Sequence, residues 1–377
     1  MQSQRILHIA NDFTGSTVYK ELGAGLDILG VEQIFYTAFR DKRKCESNSI
    51  DFKLNKSKII YSPILNSHID RLIYPIKIIK IIKDIESKVD FSQIKLIHAH
   101  TWYSDGGVAY FLSKKYEIPY IITVRNTDLN IFNEKLIYLR GFGKLFLLNA
   151  KKIIAISDIY KSKILNLKNI KPYEKVIANN IITIPNGVNN YWLNEMISFK
   201  KNNLKKEKFN ILYIGKFNKN KNIYELIKSI DILVEKYDVT LHIVGGGGDY
   251  DSNVMGLINK NKNLIFYGQI SDKNQLRSIF EKCDIFAMPS KYETFGLVYI
   301  EAMLQGLPIL YTKGEGIDGF YNNIGEKISN HSPDDIAEAL SKMILNFTSY
   351  NIPLLELKKN HDWMEISKKM KSIYDID

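Results

Sequence analysis

The chain has 377 residues, 45% of them hydrophobic and 25% charged, the balance of an ordinary soluble α/β protein. A single hydrophobic core rarely grows beyond about 250–300 residues, so two domains are expected. A formal net charge of +11 permits nucleic acid, anionic lipid or acidic small-molecule partners without choosing among them. The two cysteines, Cys45 and Cys283, show no metal or redox spacing, which fits a reducing compartment. Residues 5–10 read as a first buried strand, too short and too polar in its flanks for a signal peptide, and no stretch is long enough to span a bilayer. Gly15 and Ser16 follow at a strand-to-helix turn, but the G-x-G-x-x-G spacing of a dinucleotide site is missing. A helix over 18–29 and a strand over 31–36 come next, then a polar, lysine-rich stretch over 40–58.

Residues 68–88 form a basic amphipathic pattern. Ile69, Leu72, Ile73, Ile76, Ile79, Ile82 and Ile85 line one side, with Arg71, Lys77, Lys80 and Lys83 between them. Such a helix either lies in an anionic membrane surface or packs on a sheet with its lysines in water. His98 and His100 share one face of the next strand, with no third metal ligand near them in sequence; His100 stands at the strand's end and His98 packs. After a helix over 108–115, the apolar run 119–124 ends in Arg125-Asn126-Thr127-Asp128. Lys152 to Ile156 is another strand, with Ser157 as a helix cap, and 181–188 closes the first half before a polar, lysine-rich linker.

The second half opens with a strand over 209–214 and a loop carrying Gly215, Lys216 and Lys221. Thr240 to Val244 runs into Gly245-Gly246-Gly247-Gly248, a backbone able to cradle a nucleotide; Asp249-Tyr250-Asp251 reads as loop acids rather than a metal motif. A strand over 264–267 ends at Gly268 and Gln269. The buried run 284–288 leads into Glu293-Thr294-Phe295-Gly296, and helical spacing begins at Leu297, with Ile300, Met303 and Leu304 on one face. In open α/β sheets ligands bind beyond the carboxyl ends of the strands, where a helix N-terminus suits a diphosphate. Glu301, eight positions after Glu293, sits about two turns along that helix. A glycine-rich loop over 311–319, a capped helix over 333–340 and a final helix to about Tyr374 complete the chain.

Glu293-Thr294-Phe295-Gly296, Glu301, Ala302-Met303 and Gly306-Leu307-Pro308 resemble the donor-site signature of the retaining nucleotide-sugar glycosyltransferases of family 4, the glycosyl transferases group 1. The resemblance implies an α/β, GT-B architecture: two Rossmann-like domains whose parallel sheets face an interdomain cleft. Residues 1–195 would bind the acceptor, 196–208 would link, 209–360 would bind the nucleotide sugar, and a helix over 361–377 would cross back. It also implies roles. Glu293 would contact the donor sugar and Glu301 the ribose, with Thr294, Phe295, Gly296 and Leu297 in the donor loop. Gly215, Lys216 and Lys221 would surround the diphosphate, Lys216 standing where the family usually has arginine. Gln269 would lie against the base, and Gly15 near the phosphates. His100 would be a cleft residue. Arg125 stands where many members have a histidine close to the transferred sugar, and a fixed cation there would stabilise the leaving diphosphate or an acidic acceptor.

Glu293, Arg125 and His100 are thus the catalytic candidates. No metal and no cofactor are expected, the nucleotide-diphosphate sugar being a co-substrate. The implied acceptor is a polyprenyl-linked or oligosaccharide hydroxyl in bacterial surface-glycan synthesis. That places the enzyme in the cytoplasm at the inner face of the plasma membrane, with 68–88 as the membrane contact. Two rivals are a non-catalytic, hydrolysing or epimerising nucleotide-sugar protein on the same fold, and a basic nucleic-acid-binding protein. The second would need aromatics interleaved with basic residues on one face, and the sequence shows no such face.

Overall fold

The computed structural model describes residues 5–41, 43, 45, 48–66, 70, 73–198 and 207–375. These form two compact units, Met1–Gly187 with Trp363–Asp377, and Val188–Asp362. The first unit contains β1 (Arg5–Ile9), α1 (Thr17–Ile28), β2 (Gln33–Ala38), β3 (Lys58–Ser62), α2 (Tyr74–Glu86), β4 (Ile94–Ala99) and α3 (Ser104–Tyr116). It continues with β5 (Tyr120–Val124), α4 (Arg140–Asn149), β6 (Lys152–Ala155), α5 (Asp158–Leu165), α6 (Glu174–Ala178) and β7 (Ile181–Thr183). Its seven strands are all parallel, in the order β3-β2-β1-β4-β5-β6-β7. Helices on both faces bury nearly all of the middle strands, which is why β1, β4 and β5 read as largely apolar runs rather than alternating ones.

The second unit begins with α7 (Asn190–Asn194) and then runs β8 (Lys208–Gly215), α8 (Ile223–Leu233), β9 (Asp238–Gly245), α9 (Asp251–Ile258), β10 (Leu264–Phe266) and α10 (Lys273–Lys282). After β11 (Ile285–Ala287), α11 (Leu297–Leu304), β12 (Ile309–Thr312) and β13 (Gly325–Ile328) come α12 (Pro333–Leu345) and α13 (Leu354–His361). Its sheet is also parallel, ordered β10-β9-β8-β11-β12-β13. Each unit therefore has its first strand in the middle, flanked by its second on one side and its fourth on the other. The order in which strands are added to the sheet reverses there, and a crevice opens beyond the carboxyl ends of the two neighbouring strands.

Three features depart from the sequence reading. The boundary falls at Gly187 rather than at 195, because Gln305 Nε2 donates to the Glu195 carbonyl and Ile197 N–H to the Leu304 carbonyl, tying 188–198 to α11. Most of the expected linker lies outside the described residues. Strands β3 and β13 were not expected from the sequence: both are half-exposed sheet edges, β13 carries Gly325, Glu326 and Lys327, and the apolar part of β3 is only Ile59-Ile60-Tyr61 between Lys58 and Ser62. The third concerns the basic helix. Of 68–88, residues 68, 69, 71 and 72 lie outside the described residues; within α2 the core side is Tyr74, Lys77, Ile78, Ile81 and Ile85, while Ile76 and Ile79 are 45% and 53% exposed. A strict three-residue row turns by about 60° per step against a 3.6-residue helix, so Ile73, Ile76 and Ile79 drift out of the buried stripe. Lys77, expected in water, is buried instead.

The last helix, α14 (Trp363–Tyr374), belongs to the first unit and packs on α1. A Cβ on Gly25 would meet Ser367 Oγ at 2.2 Å and one on Gly187 the Trp363 ring at 2.7 Å, so both glycines are contact points for this helix. Among the described residues no helix is long and apolar enough to cross a membrane.

Candidate functional site

In the second unit the crevice lies between the carboxyl ends of β8 and β11. The loop after β8 is laced to the loop after β11 by Asn220: its backbone carbonyl accepts from Lys291 N–H at 2.8 Å, its Nδ2 donates to the Tyr292 carbonyl at 2.9 Å, and its Oδ1 accepts from Tyr292 N–H at 3.1 Å. This places the next residue, Lys221, against the one after Tyr292. Lys221 Nζ and Glu293 Oε2 are 2.5 Å apart, with side chains only 25% and 13% exposed. Glu293 is fixed further: its N–H donates to Glu315 Oε2 at 3.0 Å, its Oε1 accepts from Thr294 N–H at 3.2 Å, and its carbonyl accepts from Gly316 N–H at 2.9 Å. Charged groups held this rigidly and half out of water keep one orientation.

Gly296 then turns the chain into α11 with φ 75°; a Cβ there would strike the Tyr299 ring at 2.4 Å, so the turn requires glycine. Leu297 starts the helix, whose first N–H groups have no intrahelical acceptor. The side chain of Phe295 is buried, edge-on to Phe320 and against His361, so only its backbone faces the loop. Glu301 lies on the second turn of α11. Burial pushes its carboxyl up to about 7, a rise that Lys273 and a hydrogen bond from the buried Trp192 oppose.

Beside this pair, a cavity of about 570 Å³ is lined by Ile214, Gly215, Lys216, Val244, the four glycines 245–248, Gln269 and Ile270. Its size lies in the range of small-ligand sites. All four glycines have positive φ, and a Cβ on Gly245 would sit 1.9 Å from the Gly215 carbonyl oxygen. Lys216 is exposed into this space. Asp251 Oδ1 accepts from Gly247 N–H at 2.7 Å, so one acid of the Asp-x-Asp pattern closes its own loop.

The first unit has its crevice between β1 and β4. Asn11, after β1, donates to Asp105 Oδ1 at 2.6 Å, and Lys77 of α2 donates to Ser104 Oγ. Asp105 is fully buried and its Oδ2 has no hydrogen-bond partner among the described residues; burial pushes its carboxyl up to about 7, while Lys77, also buried, is pushed down. Neither residue stood out in the sequence, where each reads as one more charged helix position. Arg125 follows β5: its guanidinium lies 5.3 Å over the Tyr19 ring, donates to Asn186 Oδ1 at 3.1 Å, and reaches the His100 carbonyl at 3.4 Å. Its backbone N–H donates to Asp128 Oδ2 at 2.8 Å. Gly15 closes a short turn before α1, its N–H on the Asp12 carbonyl and Ser16 capping the helix.

His100 has no exposed surface, which corrects its reading as a cleft side chain. Nor is the His98–His100 pair alone. The neighbouring strand puts His8 in register with His98, and ligand atoms of the three lie within 4.8 Å of one another. His8 stacks on Phe35 at 4.2 Å and His98 on His100 at 4.0 Å. His98 engages Tyr374 Oη at 2.7 Å and Thr123 Oγ1 at 2.8 Å, and His8 Nδ1 lies 3.0 Å from His100 Nε2. Burial holds His8 down to about 3 and His98 and His100 well below their ordinary value, so the three are neutral at physiological pH. They form a stacked, hydrogen-bonded column beneath the crevice.

Comparison with known proteins agrees with this geometry. The profile of Glycosyltransferase Family 4 matches residues 15–190 and that of Glycosyl transferases group 1 matches residues 194–370. Anabaena HepE, solved in complex with UDP, superposes with a TM-score of 0.71 at 16% identity, covering 98% of this chain and 99% of its own. A glycosyltransferase of Methanocaldococcus jannaschii is 28% identical over 72% of this chain and 71% of its own. The capsular polysaccharide biosynthesis glycosyltransferase CapM of Staphylococcus aureus is 30% identical over 59% of this chain and 60% of its own. The architecture is GT-B, and the protein is a glycosyltransferase. It belongs to the group 1 glycosyltransferases, family 4.

Proposed function

We propose that this enzyme transfers a hexose-type sugar from a nucleoside-diphosphate donor to a hydroxyl of a lipid-linked or polysaccharide acceptor, with retained anomeric configuration and without a metal ion. The observation that carries this reading is the Lys221–Glu293 pair at the β8/β11 crevice, beside the glycine-lined cavity. Departure of a diphosphate leaves negative charge on its oxygens and positive charge on the sugar. Lys221, Lys216 and the N-terminus of α11 answer the first, and the Glu293 carboxylate answers the second. In the unliganded protein the two charges neutralise each other; on binding, the diphosphate takes the ammonium and a sugar hydroxyl takes the carboxylate. Glu301 accepts the ribose hydroxyls in this reading, and Gln269 borders the base. The first unit supplies the acceptor side, with Arg125 as the cation for an acidic group. UDP bound to HepE and the capsule role in the name of CapM support a nucleotide-sugar donor and a surface-glycan product.

The exposed Ile76, Ile79 and Lys83 of α2 support contact with an anionic membrane, and with it a place in the cytoplasm at the inner face of the plasma membrane. The reading needs no cofactor and no nucleic acid.

The test is a screen of UDP-, GDP- and ADP-sugars for donor hydrolysis and transfer, with anomeric configuration of the product read by NMR. Glu293→Ala is expected to lower turnover by about 10²–10³ with unchanged thermal stability. A Glu293→Ala enzyme as active as the parent would end the proposal, and loss of transfer with hydrolysis intact would favour the hydrolysing alternative.

A further inference from the structure

The first element of the second unit, α7, has only five residues, too short to hold its shape alone. Asn189 caps it, its Oδ1 accepting from Tyr191 N–H at 3.0 Å. Side chains then pin it to two longer helices. Tyr191 Oη donates to Asn274 Oδ1 of α10 at 2.8 Å, and Arg277 of α10 pairs with Glu195 at 2.6 Å. Gln305, just after α11, donates to the Glu195 carbonyl at 2.9 Å. Between these ties sits Trp192, 2% exposed and edge-on to Phe280 at 5.4 Å. Its indole N–H can only donate, and it donates to the side chain of Glu301 on α11. In the sequence residue 192 falls in the expected acceptor half, far from the donor motifs.

The two glutamates of the donor loop and its helix are held in different ways. Glu293 is fixed by its own neighbourhood, through Lys221 and Thr294 N–H. Glu301 projects from a helix on a flexible side chain, and among the described residues Trp192 gives its carboxyl a hydrogen bond while Lys273 acts on it through charge. A carboxylate has about four lone-pair positions, so one N–H leaves room for a vicinal diol. A buried donor pinned from two sides also fixes the orientation of its acceptor before any ligand arrives. We infer that Trp192 is a positioning residue for nucleotide recognition: it holds the Glu301 carboxyl in the orientation that receives the ribose hydroxyls. The inference rests on the ribose role of Glu301 in the proposed function and names what orients it.

Calorimetric titration of the full chain with UDP, GDP and ADP, then with the 2′-deoxy and 3′-deoxy forms of the tightest, reads the ribose contact without an acceptor. The parent is expected to prefer the ribose form by about tenfold or more. Trp192→Phe keeps a ring against Phe280 and removes the N–H; the preference should shrink to about threefold or less, with deoxy affinity and melting temperature unchanged. If phenylalanine lowers the melting temperature, a tryptophan isostere with sulfur in place of the ring nitrogen replaces it in the same comparison. Tyr191→Phe, which loosens the same helix without touching Glu301, should keep the preference. In a Glu301→Ala background, Trp192→Phe should change nothing further. Full preference in Trp192→Phe, an equal loss in Tyr191→Phe, or a further loss in the Glu301→Ala background overturns the inference. A parent that binds ribose and deoxy forms equally overturns it too and faults the ribose role of Glu301, whereas a parent that binds none of the three nucleotides overturns the donor reading as a whole.

Discussion

At the scale of single residues, the proposed donor site depends on two charges that hold each other in place. Removing Lys221 leaves Glu293 partly buried without its counter-ion and takes a cation from the diphosphate. Lys221→Met is expected to lower kcat/KM by about 10²–10³ while stability changes little, measured by transfer kinetics beside a thermal melt. Glu301 carries a pH signature. Its carboxyl is lifted to about 7 in the folded protein from an ordinary 4.5, chiefly by burial. Below 4.5 it is neutral in both folded and unfolded chains; between 4.5 and about 7 the unfolded chain ionises while the folded one stays neutral, so stability is lost across that window and levels off above it. The melting temperature of the parent should therefore fall more between pH 5 and pH 8 than that of Glu301→Gln. Parallel pH profiles would show that Glu301 is not the cause. Glu293, Glu301, Lys216 and Lys221 stood out in the sequence through their resemblance to a family signature, in loops and a helix that follow strand ends. Asn220, which brings Lys221 to Glu293, did not, because its partners are backbone atoms 71 and 72 residues away.

At the scale of elements, glycine positions decide whether the loops form. Gly245 has φ 138° and its missing Cβ leaves room for the Gly215 carbonyl at 1.9 Å. Gly245→Ala should break the join between the β8 and β9 loops, lowering the melting temperature by about 5 °C or more and abolishing nucleotide binding. A melt and a titration with the accepted donor check this; normal donor affinity would refute it. Central strands announced themselves as apolar runs, since parallel strands are covered on both faces. Edges β3 and β13 did not. The face of α2 was misread for a different reason: sequence shows that isoleucines recur but not which of two adjacent stripes meets the sheet. Lys77 shows the consequence, a lysine inside the core because Ser104 and Asp105 wait for it.

At the scale of the whole molecule, the chain makes the same sheet twice and closes the first with its last helix. Tyr374 reaches His98, and Ser367 and Trp363 lie against Gly25 and Gly187. Ending the chain after Asp362 should therefore strip hydrogen-exchange protection from residues 5–187 while residues 207–362 keep theirs and still bind the donor nucleotide. Loss of protection in both units alike would contradict the division. Only a long-range contact of this kind could have shown that three histidines, two strands apart in sequence, form one column.

What the sequence determined by itself was the class of fold and the strand-end loop that carries Glu293, because alternation of strand and helix, glycine turns and strand-end motifs are local consequences of backbone geometry. The tertiary structure decided which charges meet, that His100 is buried rather than open, where the unit boundary falls, and which face of α2 stays in water. Those depend on strand order and packing between distant segments, and neighbouring residues in the chain carry no record of them.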